Sequence, residues 1–170
     1  MTPATRSRTA LLNRLRTLAL VEAADAVLIG WVVFAAFGAP ANAANTVGFA
    51  LTAGLLLIGS AYWALKHRQL RTGAALPSAI GAFRPLRSLC ALALLAGPFV
   101  IAVPAVQGRP PSHWAPGLLL YGLALAEYVN YFHRQLMHDT RADWRRLLRT
   151  RRPRRSHLAA DLRAHRDRRR

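Results

Sequence analysis

The sequence is short of several things that a disulfide-held or metal-built fold would need. It has one cysteine, Cys90, so no internal disulfide forms and no multi-cysteine zinc or iron–sulfur site can be built. Cys90 lies in an apolar run and reads as a small buried hydrophobe. Acidic residues number only 7 against 24 basic ones, and Lys66 is the sole lysine. The arginine bias, beside abundant alanine, fits a GC-rich coding sequence at least as well as a demand for guanidinium groups. There is no Gly-rich phosphate loop, no internal repeat, and no nucleophile elbow around which a Ser–His–Asp arrangement could be argued.

What the sequence does have is a segregated mixture. The hydrophobic fraction is 53%, yet the net charge is +17. Soluble domains seldom combine the two. Here the apolar residues come in long blocks, and the arginines lie between and after them. A helix that crosses the bilayer core needs ~20 mostly apolar residues. Windows near 18–37, 47–65, 88–106 and 116–137 qualify. Pro40 follows the first, Pro104 and Pro110–Pro111 close the third, and Pro116 opens the fourth at a first-turn position. Trp31, Trp63 and Trp114 suit the membrane–water interface. The expected fold is therefore all-α, a four-transmembrane-helix bundle over 18–137. A basic segment, 1–17, precedes it, and an Arg-rich tail, 138–170, follows.

Charge sets the expected orientation. Arg6, Arg8, Arg14 and Arg16 precede the first span, and the next loop has no basic residue. Lys66, Arg68, Arg71, Arg84 and Arg87 follow the second span, Arg109 alone the third, and the other fourteen begin at Arg134. That alternation is what the positive-inside rule gives for an even number of spans with both termini cytoplasmic. The basic start, apolar core and "ANA" before Ala44 also resemble a cleavable signal peptide. The length of the apolar run, and Glu22 and Asp25 within it, argue for a retained span instead.

Three acids lie inside these windows. At ~1.5 Å per residue, Glu22 falls ~7 Å, Asp25 ~12 Å and Glu127 ~15 Å from the expected cytoplasmic edge. An acid at the centre of an isolated span costs ~2.5–3.5 kcal/mol, less toward its ends. Each therefore calls for a partner, a wet cleft or a proton. At about 100° per residue, Glu127, Asn130, Tyr131, Arg134 and His138 share one stripe, with His133 just off it. Glu22 and Asp25 share a face of the first span, flanked by Ala19, Ala23, Ala26 and Gly30. Small residues admit a close neighbour, so spans one and four are expected to meet across Glu22/Asp25 and Asn130/Arg134. Short loops also favour antiparallel packing of one on two and of three on four.

The expected cluster is Glu22, Asp25, Glu127, Asn130, Tyr131, His133 and Arg134. Its plainest role is a polar lock within the bundle. The same residue types also line proton, ion or substrate paths. Glu127 or His133 would be the acid/base candidates if the chain acted on lipid headgroups. A metal assembled from Glu22, Asp25, Glu127 and His133 is disfavoured, because Glu127 has Asn130 and not histidine three residues on. No metal or cofactor is expected. His67 and His138 read as solvated interfacial residues, and Gly97-Pro98 as a bend in the third span.

In the tail, Trp144, Leu147 and Leu148 form an apolar stripe flanked by Arg145, Arg146, Arg149, Arg151 and Arg152. This reads as a short amphipathic helix on anionic headgroups, at ~1 kcal/mol per arginine. Leu158 and Leu162 mark a second short helix beyond Pro153. Nucleic acid is a weaker partner, since Trp144 is the tail's lone aromatic and no reading motif accompanies it.

The string "EYVNYFHRQLMHD" resembles a pattern in small multi-pass bacterial membrane proteins, where E-Y-x-N-Y-F closes a helix before a polar cytoplasmic segment. The resemblance covers about fourteen residues and implies no reaction. It points to the bacterial inner membrane and to Glu127, Asn130, Tyr131 and His133. The expected function is a non-enzymatic membrane component, self-associating or part of a larger complex. The alternative is a small transporter or membrane-embedded enzyme built on the acid cluster.

Overall fold

The computed structural model describes residues 3–133 and 156–168. It is all-α among them: α1 (Pro3–Gly30), α2 (Ala43–Thr72), α3 (Phe83–Val106), α4 (Ala115–Phe132) and α5 (His157–Asp167). Three helical stretches are long and apolar enough to cross a membrane: Ser7–Ala36, Ala43–Thr72 and Ile80–Val106. The helices overrun the apolar windows where their ends are polar. A helix satisfies its own backbone in water as well as in lipid, so it need not stop at the membrane edge. With 18 residues, α4 is the shortest of the four long helices, and Glu127 and Asn130 dilute its apolar run.

Local chemistry sets the boundaries. From Trp31 to Ala36 the first helix widens into a π-helical turn, with the Phe37 N–H bonded to the Val32 carbonyl at 2.9 Å. Asn42 caps α2, its side chain accepting from the Asn45 N–H at 3.0 Å. Gly73, at φ 70°, ends α2 in the left-handed conformation that glycine adopts without strain. The exposed carbonyls of Leu70 and Arg71 then accept from the Arg8 guanidinium, at 3.1 and 3.4 Å. This joins the start of α1 to the end of α2.

Contacts between helices give the topology. Arg8 meets Leu70 and Ser60 donates to the Ala19 carbonyl at 2.7 Å, so α1 and α2 are antiparallel. Tyr121 bonds the Leu94 carbonyl and Tyr128 the Arg87 carbonyl, so α3 and α4 are antiparallel. Between α2 and α4 the pairs climb together: Asn45 with Gly117, Thr52 with Leu120, Gly59 with Tyr131. These two helices run parallel, and α2 is the central element, packed on α1, α3 and α4.

The small-residue face of α1 thus lies on α2, not on α4 as its position beside Glu22 and Asp25 suggests. A short connection delivers α2 to that face, with Ala19 and Ala26 buried and Gly30 against the Phe49 ring. Helices α1 and α4 approach each other through Glu22 and Tyr131, whose side chains meet over Gly59 of α2. In α3 the helix continues through Pro98 and Pro104. Pro98 has no N–H to give Leu94, four residues back. The Tyr121 hydroxyl of α4 supplies the missing donor at 3.0 Å.

The apolar core is small and sits toward one end of the bundle, around Leu55, Tyr62, Phe83, Leu94, Tyr131, Phe132 and Leu158. Most remaining large apolar side chains face outward, among them Leu92, Leu95, Phe99 and Val103 of α3 and Val27, Leu28 and Trp31 of the first helix. An apolar shell of that kind suits contact with lipid.

Candidate functional site

Two of the three connections between the long helices, 37–42 and 107–114, meet at one end of the bundle, where amides make the ties. Asn45 is fully buried, and its Nδ2 donates to the carbonyls of Pro40 at 2.9 Å and Ser112 at 3.0 Å. Its Oδ1 accepts the Gly117 N–H at 2.9 Å, one of the backbone donors that a helix start leaves unpaired. Asn42 donates to the His113 carbonyl at 2.9 Å. The backbones of α2 and α4 touch here: a Cβ on Gly48 would overlap Gly117, and one on Gly117 would overlap Ala44. One turn further, Thr52 donates to the Leu120 carbonyl at 2.7 Å.

The acids gather toward the other end. Glu22 of α1 accepts from Trp63 Nε1 of α2 at 2.9 Å. Its other oxygen is shut from solvent between Gly59 and the Tyr131 ring of α4, where a Cβ on Gly59 would overlap both. The Tyr131 hydroxyl lies beside Glu22 at Gly59 and close enough to Glu127 to act on it electrostatically, but the enclosed Glu22 oxygen has no hydrogen-bond partner among the described residues. Asn130 donates to Glu127 at 3.4 Å, and Asp25 is close enough to act electrostatically on Glu22 and Glu127. Five of the seven expected cluster residues therefore come together, with Tyr131 among them. Like charges repel at such range, so the donors Trp63 and Asn130 are what make the gathering tolerable.

His133 is not part of this group. At the end of α4 it turns toward α3, with Nε2 3.2 Å from the Arg87 guanidinium and its ring against Tyr128. A set of Glu22, Asp25, Glu127 and His133 around one ion is thus not assembled. Among the described residues no group of three or more His, Cys, Asp or Glu side chains is placed to hold a metal. Arg134 and His138 lie outside the described residues, as do the expected surface residues Trp144, Arg145, Arg146, Arg149, Arg151 and Arg152.

Four features of the arrangement are not legible in the sequence. Trp63 was read as an interfacial aromatic, yet its indole N–H holds Glu22. Gly59 and the Ala44/Gly48/Gly117 contact were missed, although Ala44, Gly48 and Thr52 recur every four residues on one face of α2. Among other glycines four residues from an alanine, Gly54 and Gly122 face open space, whereas Gly97 packs against Leu51 and Tyr121. Asp161 was also missed, because an acid in an arginine-rich tail reads as solvated. It accepts from Lys66 at 2.7 Å and from the Tyr62 hydroxyl at 2.8 Å.

Comparison with known protein families, with curated protein sequences and with solved structures finds no match to this chain.

Proposed function

We propose that the chain is a four-span integral membrane protein of the bacterial inner membrane, with cytoplasmic termini, acting as a non-enzymatic membrane component. It self-associates or is seated in a larger complex. The observation that carries the fourth span is the parallel pairing of α4 with α2, from Asn45–Gly117 at one end to Gly59–Tyr131 at the other. A helix fastened along a bilayer-crossing partner crosses with it, and its polar residues are sheltered by the bundle. The orientation rests on charge: among the described residues every Arg and Lys except Arg109 belongs to the segments at the Tyr131 end.

The non-enzymatic reading is supported by the use made of polar groups. Asn45, Thr52, Ser60, Tyr121 and Trp63 each join two helices. The convergence of Glu22, Asp25 and Glu127 favours the second reading, a proton or ion path through the same site.

Two measurements test the proposal. In a Cys90→Ala background, Ser112→Cys should react with a membrane-impermeant maleimide in intact cells, and Arg168→Cys only after permeabilisation. Labelling of both from one side would exclude an α4 that crosses. Gentle purification followed by native mass spectrometry should show a homo-oligomer or a partner protein; a strict monomer with neither would overturn the assembly role.

A further inference from the structure

The terminal helix α5 is basic on its outside, where Arg163, Arg166 and Arg168 are exposed, yet it is docked by groups that are not. Leu158 is 1% exposed within the bundle's apolar core, and Leu162 packs beside it. Ser156 caps the helix by accepting from the Ala159 N–H at 3.1 Å, and its hydroxyl donates to the Tyr131 carbonyl. His157 lies edge-on to the Trp63 ring, with centroids 5.9 Å apart. Asp161 receives Lys66 and Tyr62 from consecutive turns of α2, and His165 lies beside Gly81.

The two residues touched first, Tyr131 and Trp63, are the two that flank Glu22: Trp63 donates to one of its oxygens and the Tyr131 ring covers the other. Tyr62 is 1% exposed and Tyr131 4% exposed, and both sit between the acids and the end of α2. We infer that α5 is a latch, closing the cytoplasmic end of the bundle over the Glu22–Tyr131–Glu127 cluster, with Asp161 as its catch. This rests on the four-span reading, which puts the cluster within the membrane. The helix adds one acid, one cap and two leucines to the core, while its arginines stay outside. Such a lightly attached element opens locally at less cost than the bundle unfolds.

Hydroxyl-radical footprinting of the full chain in lipid nanodiscs, read by mass spectrometry, tests the latch. Asp161→Asn removes the charge that holds Lys66, and Ser156→Ala removes the cap and the bond to Tyr131. In the unaltered chain Tyr62 and Tyr131 should be protected. Each variant should raise their modification about fivefold or more, with Tyr121 unchanged. If the unaltered chain reacts as strongly as the variants, or if neither variant raises the modification, the latch is overturned. A rise at Tyr121 as well would make α5 an inseparable part of the core, which also overturns it. Phe99, 78% exposed on α3, reports separately on the membrane reading: lipid should shield it. Its modification in nanodiscs would sink that reading, whatever Tyr62 and Tyr131 do.

Discussion

The two ends of the bundle are held by different chemistry. At the Asn45 end the ties are neutral, run from side chain to backbone, and accompany a backbone contact that only glycine allows. At the Glu22 end they run from side chain to side chain between acids, aromatic donors and an amide, closed by a separate helix. An amide that satisfies three backbone groups fixes helix ends at set distances. A group of acids gathered around a tyrosine fixes less, because each member has rotamer freedom and like-charged neighbours. The first end is built for rigidity, and the second can rearrange.

The sharpest way to break that contrast is at the backbone contact. Gly117→Val puts two methyls where the Ala44 carbonyl lies and should destabilise the protein by about 3 kcal/mol or more. Melting in nanodiscs would show it, and a small shift would mean that α2 and α4 are not in contact. Next comes Asn45→Ala, which strands the Gly117 N–H and the Pro40 and Ser112 carbonyls, for a loss of about 2 kcal/mol. At the other end Asn130→Ala removes, among its contacts, the long hydrogen bond to Glu127, a bond of the kind that contributes about 0.6 kcal/mol within membranes. If Asn130→Ala cost more than Asn45→Ala in the same melting series, the assignment of rigid and adaptable ends would be reversed.

Much of the arrangement could be read in the sequence, but unevenly. The long helices follow from apolar windows, since a run such as "VGFALTAGLLLIGSAYWAL" has few alternatives. Helical periodicity also placed Glu127, Asn130 and Tyr131 on one stripe, and Glu22 with Asp25 on one face. Periodicity does not say which helix a face meets, so α2 was not expected between α1 and α4. His133 fell to the same gap: two residues beyond Tyr131 it lies round the helix, where Arg87 is the group in reach. Asp161 shows a different limit. Composition described its surroundings correctly as basic, but only the fold brings Tyr62 and Lys66 to it across about a hundred residues of chain.

The claim most exposed to test is that the acid cluster is architecture, with the Tyr131 hydroxyl packed against Glu22 over Gly59. The direct measurement is the melting midpoint of Tyr131→Phe in lipid nanodiscs, beside the unaltered chain. If the hydroxyl packed between α1, α2 and α4 is architectural, its removal should lower the midpoint, by the equivalent of about 1 kcal/mol. Sites kept for chemistry are commonly held at the expense of stability, and removing their polar groups raises it. An unchanged or higher midpoint for Tyr131→Phe would therefore contradict the architectural role and turn the case toward a proton or ion path.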